Sequence, residues 1–295
     1  MNVLVESGKH IPVNTPVPLT KQRYAETFQL LHSLSHEYEF MVSAMVKLLA
    51  CHSSRAFSLL DIGPAKGIFT RNFLLQAEVK PDFYAAFEPN ADHFHYLHDN
   101  VQGLTGRLQL NPEPFTPETV LQAQWDIVLM SHSIYWLQPA QPHIEAAMKG
   151  LNKSGVLVLF VQLPSALRLL HHPFKALVPA SALPLNQHYC TCDLMSDLND
   201  LGLHAEETLL PGYLDLTEIW DSEKDLLELG CFILSTELSQ QPKAIQQELL
   251  YYIRANTLQL KEKKLFNQPS SLVTIRQDSQ DRTHLSKSSR YEAIP

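Results

Sequence analysis

The sequence predicts an α/β protein built on a parallel sheet with helices on both faces. Three observations carry this. Apolar runs at 57–62, 82–88, 106–110, 125–130 and 154–162 alternate with helical periodicity at 66–78, 91–100, 116–123 and 139–150. Strands separated by helices pair in parallel because each connection must cross over the sheet. The first run, FSLLDI, leads into a tight turn carrying Gly63 and Gly67, and a helical pattern starts straight after. That strand, loop and helix N-terminus form the corner at which an α/β domain holds an adenine-containing cofactor. The second run, DFYAAFEPN, follows about 20 residues on and ends in Glu88, an acid at the tip of the neighbouring strand, as a ribose diol needs. The pair points to a nucleoside cofactor without naming it.

Before the first strand, residues 1–20 contain Pro12, Pro16 and Pro18 and read as an extended arm. From Lys21 to Cys51, Tyr24, Phe28, Leu31 and Leu34, then Met41, Met45, Leu48 and Leu49, recur at three- and four-residue steps and predict two helices, with a loop over 32–38. GLNKSG supplies the turn chemistry before the strand at 154–162. The following stretch, 164–188, is apolar and interrupted by Pro164, Pro173, Pro179 and Pro184, which suggests short helices or a lid. A helix is expected over 191–201, a strand over 204–210, helices over 221–238 and 242–261, and a last strand over 265–277. The organisation is thus one domain over 21–277, with N-terminal helices at 21–51 and a helical insert at about 211–262. The polar tail 278–295 reads as disordered.

Composition narrows the function. The chain has 295 residues, 45% of them hydrophobic, which suffices for a sizeable core, and a net charge of −8 with no Lys/Arg cluster, which argues against a nucleic-acid surface. Cys51, Cys190, Cys192 and Cys231 are irregularly spaced in a long chain and read as reduced thiols of a cytoplasmic protein. MNVLVESGKHIPVNTPV lacks the apolar core of a signal peptide, and no stretch reaches the ~18 apolar residues of a membrane span. His93, His95 and His98 do not share one helix face, and Cys190-Thr-Cys192 stands without a second pair, so no metal site is expected.

The loop has its glycines spaced GxxxG, with Asp61 two residues before the first. With Glu88 ending the next strand, this resembles motif I of the class I S-adenosylmethionine-dependent methyltransferases. Gly63 would let the backbone pass close to the cofactor, and Gly67 would let the helix start tight against the strand. Asp61 would lie near the cofactor's methionine ammonium, where a carboxylate is electrostatically favoured. Pro64 and Lys66 are unusual in such a loop. The resemblance implies a Rossmann-like, seven-stranded class I methyltransferase sheet with a small helical substrate-binding lobe, and S-adenosylmethionine as cofactor.

From about Arg23 to Ile275 the chain is also similar to the histamine N-methyltransferases. RYAETF and SLSHEYEFM match that family's start, which implies that Tyr24 and Glu37 contact an amine acceptor and that Phe28 lines its pocket. FEPNADHF places Glu88 on the ribose and His93 near the adenosine. WDIVLMSHSIYWL places Ser131 against the cofactor and His132, Tyr135 and Trp136 toward the acceptor. KKLFNQPSSLVTI places Gln268 near the site. The chain departs from the family where a glutamine is replaced by His132, a second tyrosine by Trp136 and an asparagine by Gln268. The family's tryptophans after the fifth strand are absent, that stretch carrying Leu167, Leu170, His171 and His172.

The implied reaction is methyl transfer to a nitrogen of a small amine or imidazole by a monomer acting on neither nucleic acid nor membrane. His132, Tyr135 and Glu37 are the candidate catalytic residues. Other acceptors, an oxygen nucleophile or a peptide side chain, stay open, as does a non-catalytic nucleotide-binding scaffold.

Overall fold

The computed structural model describes residues 2–4, 10–52, 57–119, 121, 123–165, 168–179 and 189–277. Leu167, residues 180–188 and the polar tail lie outside them. The chain divides into two compact units. A sheet unit takes Tyr38–Val161, Thr191–Leu210 and Ser271–Pro295; a helical unit takes Met1–Glu37, Gln162–Cys190 and Pro211–Ser270. The helices are α1 (Lys21–Leu34), α2 (Glu37–His52), α3 (Ile68–Gln76), α4 (Ala91–Val101), α5 (Ala140–Lys149), α6 (Arg168–His171), α7 (Thr191–Asp200), α8 (Glu223–Leu234) and α9 (Lys243–Ala255). Among these, no helix is long and apolar enough to cross a membrane.

The sheet unit is built on seven strands: β1 (Phe57–Ile62), β2 (Pro81–Phe87), β3 (Arg107–Asn111), β4 (Trp125–Ser131), β5 (Leu151–Gln162), β6 (Glu206–Leu210) and β7 (Ser270–Arg276). Their spatial order is β3-β2-β1-β4-β5-β7-β6. The pairings from β3 to β5 are all parallel, as the alternation of strand and helix requires. The sheet reverses direction of growth beside β1, so the carboxyl ends of β1 and β4 flank the switch point where open α/β sheets bind ligands. β1 is central and almost wholly buried, hence its unbroken apolar run. β3, at the edge, alternates instead. α2 lays Met41, Val42, Met45 and Leu49 into a core that also holds Phe69 and Phe73 of α3, Leu97 and Val101 of α4, and Ile127, Leu129, Val156, Val158 and Phe160 of the sheet.

In the helical unit, α1 starts at Thr20, whose side chain accepts from the Arg23 N–H, and α8 at Ser222, which accepts from Asp225. Leu31, Leu34, Leu229, Ile233, Leu249 and Ile253 pack with Phe174 and Phe266. Arg23 draws three carboxylates together, from Glu26 at 3.2 Å, Glu228 at 2.5 Å and Glu237 at 3.0 Å, and these hold its guanidinium in the charged form.

Several element boundaries differ from the sequence expectation. The loop expected over 32–38 shrinks to Ser35 and His36, because α1 runs to Leu34 and α2 starts at Glu37. No helix forms over 116–119; Thr119 closes a turn onto Thr116 through its N–H and hydroxyl, with Pro117 inside it. The helix expected over 242–261 ends at Ala255, and Thr257–Leu260 becomes a strand pairing with Lys263–Asn267 through a turn at Lys261, φ 53°. The last strand splits at Gln268-Pro269, where proline cannot donate to a ladder. Lys263–Asn267 joins Tyr213–Asp215 in a three-stranded sheet, while β7 enters the seven-stranded one. The expected arm also holds a short antiparallel pair, Asn2–Leu4 with His10–Pro12.

Candidate functional site

In the sheet unit the carboxyl end of β1 turns through 63–67 into α3. The loop is tethered at its start, where the Gly63 N–H donates to the Phe87 carbonyl at 2.9 Å, and closed by the Gly67 N–H donating to the Pro64 carbonyl at 2.9 Å. Gly67 is the N-cap of α3 and offers no side-chain acceptor, so the first N–H groups of the helix face the loop at the positive end of its dipole.

Three residues of the loop are left-handed: Gly63 at φ 73°, Ala65 at 52° and Gly67 at 72°. Both glycines are needed on steric grounds. A β-carbon on Gly63 would stand 2.7 Å from the β-carbon of Ser133, and one on Gly67 would stand 2.7 Å from Leu97 Cδ1. Protein side chains, from the turn after β4 and from α4, take that space. Ala65 carries a side chain where left-handed backbone costs about 1–2 kcal/mol.

Glu88, just beyond β2, is buried. Its Oε2 accepts from the Ala65 N–H and its Oε1 from the Asn90 N–H, each at 2.8 Å. The acid read as a ribose ligand thus also fixes the glycine loop. Its oxygens keep lone pairs beyond the two used here. His93 Nδ1 lies 3.8 Å from Glu88 Oε1.

Asp61, at the end of β1, is fully buried. Its Oδ2 accepts from the hydroxyls of Thr70 at 2.5 Å and Tyr84 at 3.0 Å, while Oδ1 has no hydrogen-bond partner. Burial pushes the Asp61 carboxyl up to about 7, against the two hydrogen bonds that favour its ionised form; the charge of Glu88 adds to the rise. Tyr84 is raised too, by burial first and then by Asp61.

Ser131 ends β4, opposite Phe160 of β5. His132 follows at φ 51°, held by its N–H donating to the Phe160 carbonyl at 3.0 Å. Ser133 is buried and donates its hydroxyl to the Ile62 carbonyl at 2.6 Å. The His132 and Tyr135 rings lie 6.2 Å apart; Tyr135 is buried, whereas Trp136 is 53% exposed. The sheet unit therefore brings Asp61, Gly63, Gly67, Glu88 and His93 around one loop, with the turn after Ser131 joined to it through Ser133 and Gly63.

Tyr24, Phe28, Glu37 and Gln268 belong to the helical unit. Tyr24 stacks on Phe28 with centroids 6.4 Å apart, and both rings meet Phe232 of α8, at 5.4 and 5.6 Å. Glu37 is buried at the start of α2, and its Oε2 accepts from Gln268 Nε2 at 3.2 Å; Gln268 also engages Ser35. Sequence reasoning missed Ala65, Thr70, Tyr84 and Ser133. A polar residue recurring on the buried face of a strand or helix was the available signal for Thr70 and Tyr84; nothing local marks Ser133. Among the described residues, no three His, Cys, Asp or Glu side chains form a metal-binding group.

A family model described as "Methyltransferase domain" matches residues 32–203. Compared with curated protein sequences, the chain finds no match. Among solved structures, a putative methyltransferase from Bacillus halodurans is similar at 16% identity and a TM-score of 0.50, over 79% of this chain and 97% of that one. The YcgJ protein of Bacillus subtilis is similar at 11% identity and a TM-score of 0.51, over 80% and 97%. At these identities the likeness is one of fold.

Proposed function

Because this chain belongs to the methyltransferase-domain family and takes its methyl group from S-adenosylmethionine, we propose that it methylates a nitrogen of a small amine or imidazole-type molecule. The cofactor, when bound, supplies a methyl group already activated on a sulfonium. The residues present fit it. Glu88 has acceptor capacity left for a ribose diol, and the buried, unpartnered Oδ1 of Asp61 suits the cofactor's ammonium. Gly63, Gly67 and Ser131 would line the same pocket and His93 would lie beside the adenosine.

With the methyl group activated, the chain needs no strong nucleophile. It must bind the acceptor nitrogen unprotonated, align it and exclude water. An imidazole nitrogen resembles His, with a pKa near ~6.5, and is largely neutral at pH 7. The observation that most supports a nitrogen acceptor is Glu37, a buried carboxylate that accepts from the amide of Gln268. A buried carboxylate wants donors, and an amine or imidazole N–H supplies one. Tyr135 and Trp136, on the turn after β4, offer aromatic walls, and a ring nitrogen of His132 can take up the proton released. We place this activity in a monomer, and in the cytoplasm because Cys51, Cys190, Cys192 and Cys231 are irregularly spaced in a long chain.

The test is methyl transfer from labelled S-adenosylmethionine across a panel of amines, imidazoles and phenols, with Glu88→Ala and Glu37→Gln beside the unsubstituted chain. Nitrogen acceptors should be methylated, Glu88→Ala should weaken cofactor binding at least tenfold, and Glu37→Gln should raise the acceptor KM. Methylation of phenols alone would overturn the nitrogen reading.

A further inference from the structure

We infer that Asn100, on α4, is a positioning residue for cofactor binding: its side-chain amide holds the Lys66 carbonyl and thereby keeps the 63–67 loop in the shape that receives S-adenosylmethionine. This rests on the reading of that loop as the cofactor's seat. Between the two glycines stands Ala65, a residue with a side chain at φ 52°. Backbone in that region persists only where its surroundings over-determine it.

The surroundings here are two hydrogen bonds, one on each side of the strained residue. Glu88 Oε2 takes the Ala65 N–H, and Asn100 Nδ2 donates to the Lys66 carbonyl, both at 2.8 Å. One comes from beyond β2 and the other from α4, so the loop is gripped from two elements. α4 adds two more contacts. The Lys66 ammonium lies 5.0 Å from the centre of the Tyr96 ring, and Tyr96 and Asn100 are four apart, on one helix face. Leu97 closes against Gly67. Glu88 has a ribose to bind as well as a loop to hold; Asn100 reaches the backbone of the loop, so it acts through that backbone.

The experiment is calorimetric titration of the full chain with S-adenosylmethionine. The variants are Asn100→Ala, Asn100→Asp, Ala65→Gly and the double variant Ala65→Gly/Asn100→Ala, each with its thermal transition recorded. Losing one neutral hydrogen bond should raise Kd about three- to tenfold in Asn100→Ala. Asn100→Asp, which sets a carboxylate against the carbonyl, should cost more. Glycine adopts the left-handed conformation without strain, so in the Ala65→Gly background the effect of Asn100→Ala should shrink below about twofold. If Asn100→Ala does not fold, Asn100→Ser carries the same comparison. A lowered melting temperature with unchanged Kd would make Asn100 merely structural and overturn the inference, as would a Kd increase undiminished by Ala65→Gly. No binding by the unsubstituted chain would overturn the cofactor reading itself, and the inference with it.

Discussion

Asp61 shows how one buried carboxyl serves two states of the chain. Its pKa, raised to about 7 by burial, lies above its value in the unfolded chain. The stability it contributes is therefore fully present below about pH 4 and is lost as pH rises toward and through 7. At about 1.4 kcal/mol per pH unit, keeping it ionised costs folding on the order of 4 kcal/mol above that range. Asp61→Asn keeps an acceptor for Thr70 and Tyr84 and removes the ionisation. Urea unfolding from pH 5 to 8 should find the unsubstituted chain losing stability relative to Asp61→Asn, and parallel pH profiles would contradict this. The same variant should bind S-adenosylmethionine more weakly, because an amide does not balance an ammonium. Asp61, Gly63 and Glu88 were legible as residues because each sits at a strand end with its own local signal. The partners that set their properties, Thr70, Tyr84 and the Ala65 N–H, come from other turns and strands.

Gly63 and Ser133 bring together the ends of β1 and β4. The close approach there explains why one tolerates no side chain and the other is small and hydrogen-bonded to Ile62. Gly63→Ala adds a left-handed strain of about 1–2 kcal/mol to an overpacking of about 1–3 kcal/mol. Thermal and urea unfolding should find the variant about 2–5 kcal/mol less stable, with weaker cofactor binding. A change below 0.5 kcal/mol would mean that the two strand ends separate freely. The elements themselves were mostly legible: β1 to β5, α3, α4, α5 and α7 stand within a few residues of their periodicities. The exceptions share a cause. At 116–119, at Asn256 and at Gln268-Pro269, one side chain or one proline redirected the backbone, and such events leave no trace in a period.

For the whole chain, ligand linkage offers a direct check. A ligand that binds only the folded form at a hundred times its Kd stabilises it by about 2.7 kcal/mol. At roughly 2–4 °C per kcal/mol, S-adenosylmethionine should raise the melting temperature by about 5 °C or more, and NAD at the same concentration should not. Equal shifts from both would return the loop to a generic nucleotide seat. The chain divides into two compact units, and the second is assembled from three separated stretches. A helical pattern by itself does not reveal which core it joins. Burial sorts them: Leu214, Leu216, Leu226 and Phe266 pack with Leu31 and Leu34 in one core, while Met41 and Met45 from the next helix join another.

The order of apolar runs and periodic helices already committed this chain to a doubly wound α/β sheet, and the DxGxxxG turn with Glu88 pointed to a nucleoside cofactor. Both are local: a period of two or 3.6, a glycine where φ must be positive, and an acid at a strand end are written in consecutive residues. Packing in three dimensions settled the rest. It placed β7 between β5 and β6, buried Asp61 deeply enough to raise its pKa, set Ser133 against Gly63, and brought Glu88 to the Ala65 N–H and Asn100 to the Lys66 carbonyl. These depend on residues distant in the chain meeting at close range, and desolvation and steric contact act through space without regard to sequence separation.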